Sequence, residues 1–331
     1  MKYRIIKSLN THQKVLAVAH HNNEILVGGT SRTLESYNIT TNERTTFCEF
    51  SKAVRSISVN NECIAGGSYD GTVVIFTPKP FQIEGPDTEI KGISISNHNM
   101  LAVATRGKTV WIYKIKDNVE ENRKGNDDFS NTKNIKDNDR KYTDNTKNTS
   151  TNQHNIKDNP YSYHELYCIL NDHTQDVKGV KWLSTSLYSY GYDCTIKRYS
   201  INIINNNYEL IQDIKDFKNT IWDITFTNHS TMIACTEDGY LYIYTLDMAW
   251  ELKCKIFASN YPIYSICSSK DYIFYVLNKR SVGILDTQFM CKEILIDLHT
   301  SDINSLFYCE VSDMLITGGD DGITNAIEID E

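Results

Sequence analysis

No stretch of this chain is apolar over the length a membrane crossing needs, and its opening, MKYRIIKSLNTH, carries no signal-peptide pattern and reads as the start of a strand. Paired cysteine spacings are missing too. The nine cysteines are an odd number, scattered without a CxxC or CxH motif. A disulfide framework or a zinc or iron–sulfur site needs clustered thiolates or thiolate–histidine sets, so no cofactor or metal is expected. The thiols read as reduced, small apolar residues of an intracellular protein, cytoplasmic with the nucleus also open to it. Positive charge is scarce: 34 basic against 42 acidic side chains give a net −8, which excludes general binding to nucleic acid.

What the chain does contain is one segment written several times. GGSYDGTVVIF (Gly66–Phe76), ATRGKTVWIY (Ala104–Tyr113), GYDCTIKRY (Gly191–Tyr199), TEDGYLYIY (Thr236–Tyr244) and GGDDGITNAI (Gly318–Ile327) share a plan. Small residues lead into a polar turn, usually centred on Asp, and then an alternating apolar strand. A period of ~40 residues with this content predicts an all-β propeller of WD-repeat type, four strands to a blade. Aligned on the turn, the positions are Arg32, Asp70, Gly107, Asp193, Asp238, Lys279 and Asp321, which makes seven blades.

Successive spacings are 38, 37, 86, 45, 41 and 42. The long one holds residues 117–160, where Asn, Asp and Lys fill 24 of 44 positions and only five residues are sizeable apolars. Such a tract cannot bury enough surface to offset its ordering entropy, and it reads as a disordered insertion within blade three. It contributes only −1 of the net charge (eight basic, nine acidic residues), so the folded body is acidic. The chain as a whole, residues 1–331, is expected to form a single propeller domain with this insertion inside it. Its last repeat ends after a third strand, and Tyr3–Leu9 is suited to supply the missing fourth, closing the ring and removing an open sheet edge.

Two histidines recur at one place in the repeat. His173 lies 20 residues before Asp193 and His299 lies 22 before Asp321, with Ser189 and Thr317 four residues ahead of each Asp. On paper this resembles a Ser-His-Asp triad. Its recurrence in different blades marks it as a structural hydrogen-bond set instead, and no catalytic residue is assigned. Phe76, Tyr113, Tyr199 and Tyr244 stand where WD repeats usually carry a Trp; the tyrosines have a hydroxyl to offer in its place and Phe76 does not.

Near the start of the first strand of each blade, position-matched residues are Leu16, Arg55, Lys91, Lys178, Trp222, Tyr264 and Asn304. Three adjacent blades thus give cations and the next two give aromatics, on one face around the channel; Arg106, in the turn of blade three, joins them. Arg and aromatic residues are the types most enriched in interface hot spots, so Arg106, Arg55, Lys91, Lys178, Trp222 and Tyr264 are the candidate partner-binding set.

Particular residues then resemble a family. HTQDVK (His173–Lys178) followed by Trp182 is similar to the start of the fourth blade in the cytosolic iron–sulfur protein assembly WD-repeat proteins, the Cia-type propellers. TVWIYKI (Thr109–Ile115), Tyr167–Leu170, Thr220-Ile221-Trp222 and IIKSL (Ile5–Leu9) resemble further strands of that family. The resemblance is strongest over residues 104–226 outside the insertion and weak in blades one and six. It implies a non-catalytic subunit of the cytosolic iron–sulfur targeting complex. The implied partners are a small adaptor, a HEAT-repeat scaffold, an iron-only-hydrogenase-like cluster carrier and the apoprotein clients that receive 4Fe-4S clusters. It further implies a functional surface role for Arg106, although the Asp that follows in the family is Gly107 here. The family's Leu-Tyr-Arg cochaperone tripeptide is replaced by Arg198, Tyr199 and Ser200. The expectation is a monomeric subunit of a hetero-complex with no nucleic-acid or membrane partner. The alternative is another WD-repeat adaptor, such as a ubiquitin-ligase substrate receptor or a chromatin-associated propeller.

Overall fold

The structure is a computed structural model, and it describes residues 2–76, 80–83, 85–116 and 164–330. The expected insertion at 117–160 lies outside the described residues. Among these, 28 strands form seven four-stranded antiparallel sheets. Blade one comprises β2 (Val15–His21), β3 (Glu24–Gly29), β4 (Thr33–Asn38) and β5 (Arg44–Glu49). Blade two starts with β6 (Val54–Val59) and runs through β7 (Ile64–Ser68), β8 (Val73–Phe76) and β9 (Phe81–Ile83). The first strands of blades three to seven are β10 (Ile90–Ile95), β14 (Val177–Leu183), β18 (Ile221–Asn228), β22 (Ile266–Ser268) and β26 (Ile303–Cys309). Each first strand contacts those of both neighbouring blades, so they close a ring around a central channel.

Strand chemistry follows distance from the axis. Second strands lie between covering layers on both faces and read as continuous apolar runs, such as Tyr272–Leu277 (YIFYVL), nearly all of it buried. Outer strands are mostly exposed, as in Trp250–Phe257, where only Trp250 is buried. The small residues that open each repeat let the blades approach one another. A Cβ on Gly28 would lie 2.6 Å from Val54 of blade two, one on Gly67 2.9 Å from Ile90 of blade three, and one on Gly318 2.5 Å from Val15 of blade one.

The seam forms as the sequence suggests. Strand β1 (Lys2–Asn10) pairs antiparallel with β28 (Ile323–Asp330), from Lys2 opposite Asp330 to Asn10 opposite Ile323, and completes blade seven. One alignment needs correction. Leu34 pairs with Gly28 as Val73 pairs with Gly67, so Ser31 and not Arg32 occupies the Asp position of blade one. Arg32 takes the left-handed turn position (φ 64°) that Gly71 holds in blade two (φ 89°).

Candidate functional site: the channel mouth

The candidate residues share a backbone feature. In six blades the register of the first strand against the second shifts by one residue near its start, between Val15 and Ala17, Val54 and Ser56, Ile90 and Gly92, Val177 and Gly179, Ile221 and Asp223, and Ile303 and Ser305. The residue passed over is Leu16, Arg55, Lys91, Lys178, Trp222 or Asn304. A bulge of this kind leaves one residue out of the ladder and re-aims its side chain. Together with Tyr264, which precedes β22, these residues line one cavity of about 500 Å³ in the channel.

Within it the cations and aromatics meet. The Lys178 ammonium lies 4.2 Å from the centre of the Trp222 ring, and the Trp222 and Tyr264 rings meet edge to face at 4.9 Å. The indole N–H of Trp222 donates to Glu237. Lys91 donates to Glu89 at 2.9 Å and lies 4.8 Å from the Tyr69 ring centre, while Arg106 reaches the other Glu89 oxygen at 3.3 Å and Asp176 at 4.0 Å. Arg55 donates to the Leu16 carbonyl at 3.1 Å. Arg106 therefore sits on the same face as the channel cations, linked to Lys91 through one shared carboxylate, and its side chain is 61% exposed.

Lys178 departs from a surface reading: it is only 7% exposed. Burial pushes its amine well below the ordinary lysine range, the charges of Arg55 and Lys91 push the same way, and Asp223 and Glu237 oppose them. The candidate set also lacked two residues. Tyr69 and Tyr192 join the mouth beside Lys91 and Trp222, the latter ring at 6.0 Å. The signal was in the repeat, because each is a Tyr directly before a turn Asp, in Tyr69-Asp70 and Tyr192-Asp193.

The histidine sets lie inside their blades. His173 Nδ1 is 2.8 Å from Asp193 Oδ2 and Nε2 is 2.6 Å from Ser189 Oγ; His299 repeats this with Asp321 at 2.9 Å and Thr317 at 2.7 Å. An ionised carboxylate can only accept, so Nδ1–H donates and, in the neutral ring, Nε2 accepts from the hydroxyl. Burial works against ionisation of Asp193, but the bond from His173, helped by the Thr174 N–H and Thr195, holds its carboxyl at about 2. Ser189 and Thr317 are fully buried, so no substrate reaches either hydroxyl. In blades two and five, Ser51 and Asn219 stand in for the histidine by donating to Asp70 and Asp238. Of the residues at the Trp place, Tyr244 gives its hydroxyl to Asp216 at 3.1 Å, whereas that of Tyr113 has no partner among the described residues.

Comparison with known proteins fits this architecture. Residues 42–77 match the family model described as WD domain, G-beta repeat. No curated protein matches the chain. Among solved structures, the WD40 beta propeller domain of Doa1 superposes with a TM-score of 0.75 at 14% identity, covering 99% of this chain and 98% of that one. The chain is a seven-bladed β-propeller carrying a WD repeat, with the cation and aromatic side chains of five neighbouring blades gathered at one end of its channel.

Proposed function

We propose that the protein is a non-catalytic docking subunit of a cytosolic iron–sulfur cluster targeting complex, acting in the cytoplasm with the nucleus also open to it. Propellers with WD repeats are in general interaction scaffolds, and the hydroxyls of the triad-like sets are sealed from solvent. The observation that supports the finer reading is the segment His173–Lys178, the most specific point of resemblance to the Cia-type propellers. One end of it anchors blade four through Asp193, and the other places Lys178 in the channel mouth. In this reading the face bearing Arg106, Arg55, Lys91, Trp222 and Tyr264 meets the adaptor, the HEAT-repeat scaffold, the cluster carrier or a client. Holding carrier and client together raises their effective concentration for cluster transfer without chemistry by the propeller.

Affinity purification of the tagged protein from its own cells, with mass spectrometry, tests this reading. Recovery of a HEAT-repeat protein, a small adaptor and iron–sulfur enzymes supports it. Recovery of ubiquitin-ligase or chromatin subunits in their place overturns it. Arg106→Gln is the matching surface test. Its ion pairs are solvent-exposed, so unfolding free energy is expected to stay within about half a kcal/mol of wild type while recovery of the partners falls several-fold.

A further inference from the structure

The channel mouth is built around an amine that has no acid of its own. Among the described residues the Lys178 ammonium makes no hydrogen bond, and its neighbour is the face of Trp222. The two acids whose charges reach it are engaged elsewhere. Asp223 is held by Lys181 at 2.7 Å, by the Tyr190 hydroxyl at 2.9 Å and by Ser265 at 3.2 Å, and Glu237 accepts from the Trp222 indole. From blades three and two Lys178 feels the charges of Lys91 and Arg55, which repel it. Four cations, Arg55, Lys91, Lys178 and Lys181, thus line one cavity of a protein of net charge −8; Lys91 is paired with Glu89 and Lys181 with Asp223, whereas Lys178 has no such pair among the described residues. Burying an ammonium without a counter-charge is costly, and perturbed groups retained in a cavity are characteristic of binding sites.

We infer that the channel mouth is a socket for a side-chain carboxylate of an acidic peptide segment, received by Lys178 with Arg55 and Lys91 beside it. A carboxylate supplies the counter-charge that the fold withholds. Tyr69, Trp222 and Tyr264 line the approach with ring faces and edges that fit the methylenes of a peptide, an apolar contact that a free inorganic anion cannot make. The inference rests on reading this face as a docking surface. It is tested on the purified chain alone, so its failure is distinguishable from a failed recovery of the complex.

The socket has a proton signature. Burial favours the neutral amine and a bound carboxylate favours the ammonium, so binding takes up a proton and weakens as pH rises, by up to about tenfold per unit for one proton. Between pH 6.5 and 8.5 the glutamates of a hexaglutamate peptide stay ionised.

Calorimetric titration with that peptide at constant ionic strength, in buffers of different ionisation heat, measures affinity and proton uptake together. Wild type and Lys270→Met, which alters an exposed lysine, are expected to bind with net proton uptake. Lys178→Met is expected to bind at least tenfold more weakly while melting no lower than wild type, because it removes a buried amine that makes no hydrogen bond and keeps the volume. Equal binding by Lys178→Met, no peptide binding by wild type, or binding of sulfate as tight as that of the peptide would each overturn the inference, the last marking an adventitious anion only.

Discussion

Replacing His173 with alanine is expected to lower the unfolding free energy by about 3 kcal/mol, the cost of breaking a buried ion-pair-like set from one side. The side chains of His173 and Asp193 are 1% and 3% exposed, so water does not take over the lost bonds. Asp193 would keep the Thr174 N–H and Thr195 but lose its strongest donor, and Ser189 would lose its acceptor. At about 2.1 cal/mol/K of unfolding entropy per residue, a loss of that size corresponds to a drop of roughly 4 to 5 °C in melting temperature for a chain of 331 residues. His229→Ala, at an exposed position, is the control and should stay within about 0.5 kcal/mol. If the two variants melt together, the set is not holding the blade.

The same set has an acid limit. Asp193 has a folded-state value of about 2, below its unfolded value. Its contribution is therefore complete above the unfolded value and disappears as pH falls through the folded one. The stability gap between wild type and Asp193→Asn should be constant above about pH 5 and close between about pH 4 and 2. A gap that persists unchanged at pH 2 would contradict the carboxylate's role.

Deleting residues 1–10 is the second large effect. Strand β28, whose Ala326, Ile327 and Ile329 are buried, would then present an unpaired edge along the whole strand. Size-exclusion chromatography should show strand-paired dimers and aggregates in place of the full-length species, and the denaturation midpoint should fall. A synthetic peptide of residues 1–12 should restore both. A truncated chain that keeps the elution volume and midpoint of the full chain would show that the seam contributes nothing.

Much of this was legible in one sequence because the repeat imposes the same demands seven times. Gly-Gly pairs mark where blades approach, a turn Asp marks the hairpin between second and third strands, and the residue passed over at each bulge recurs at a countable offset. Legibility failed where a side chain answers to its neighbours in space. Arg32 resembles a turn-centre residue by spacing, and only the pairing of Leu34 with Gly28 shows that Ser31 holds that place. Lys178 reads as one cation among three. Its burial comes from blades three and five packing on either side of blade four, and no local pattern records that. The mouth tyrosines do carry a signal, since Tyr69 and Tyr192 each directly precede a turn Asp, but a tyrosine at that place does not by itself show which neighbours it meets.

The bulges separate two kinds of information. A residue left out of the ladder has no cross-strand partner to satisfy and no place in the alternation that buries the sheet. That is why leucine, arginine, two lysines, tryptophan and asparagine all occupy the same position of one architecture. The ring thus offers a set of addresses whose contents folding does not read. A change of partner can be written there one residue at a time, and the propeller can acquire a new recognition code without passing through an unfolded ancestor.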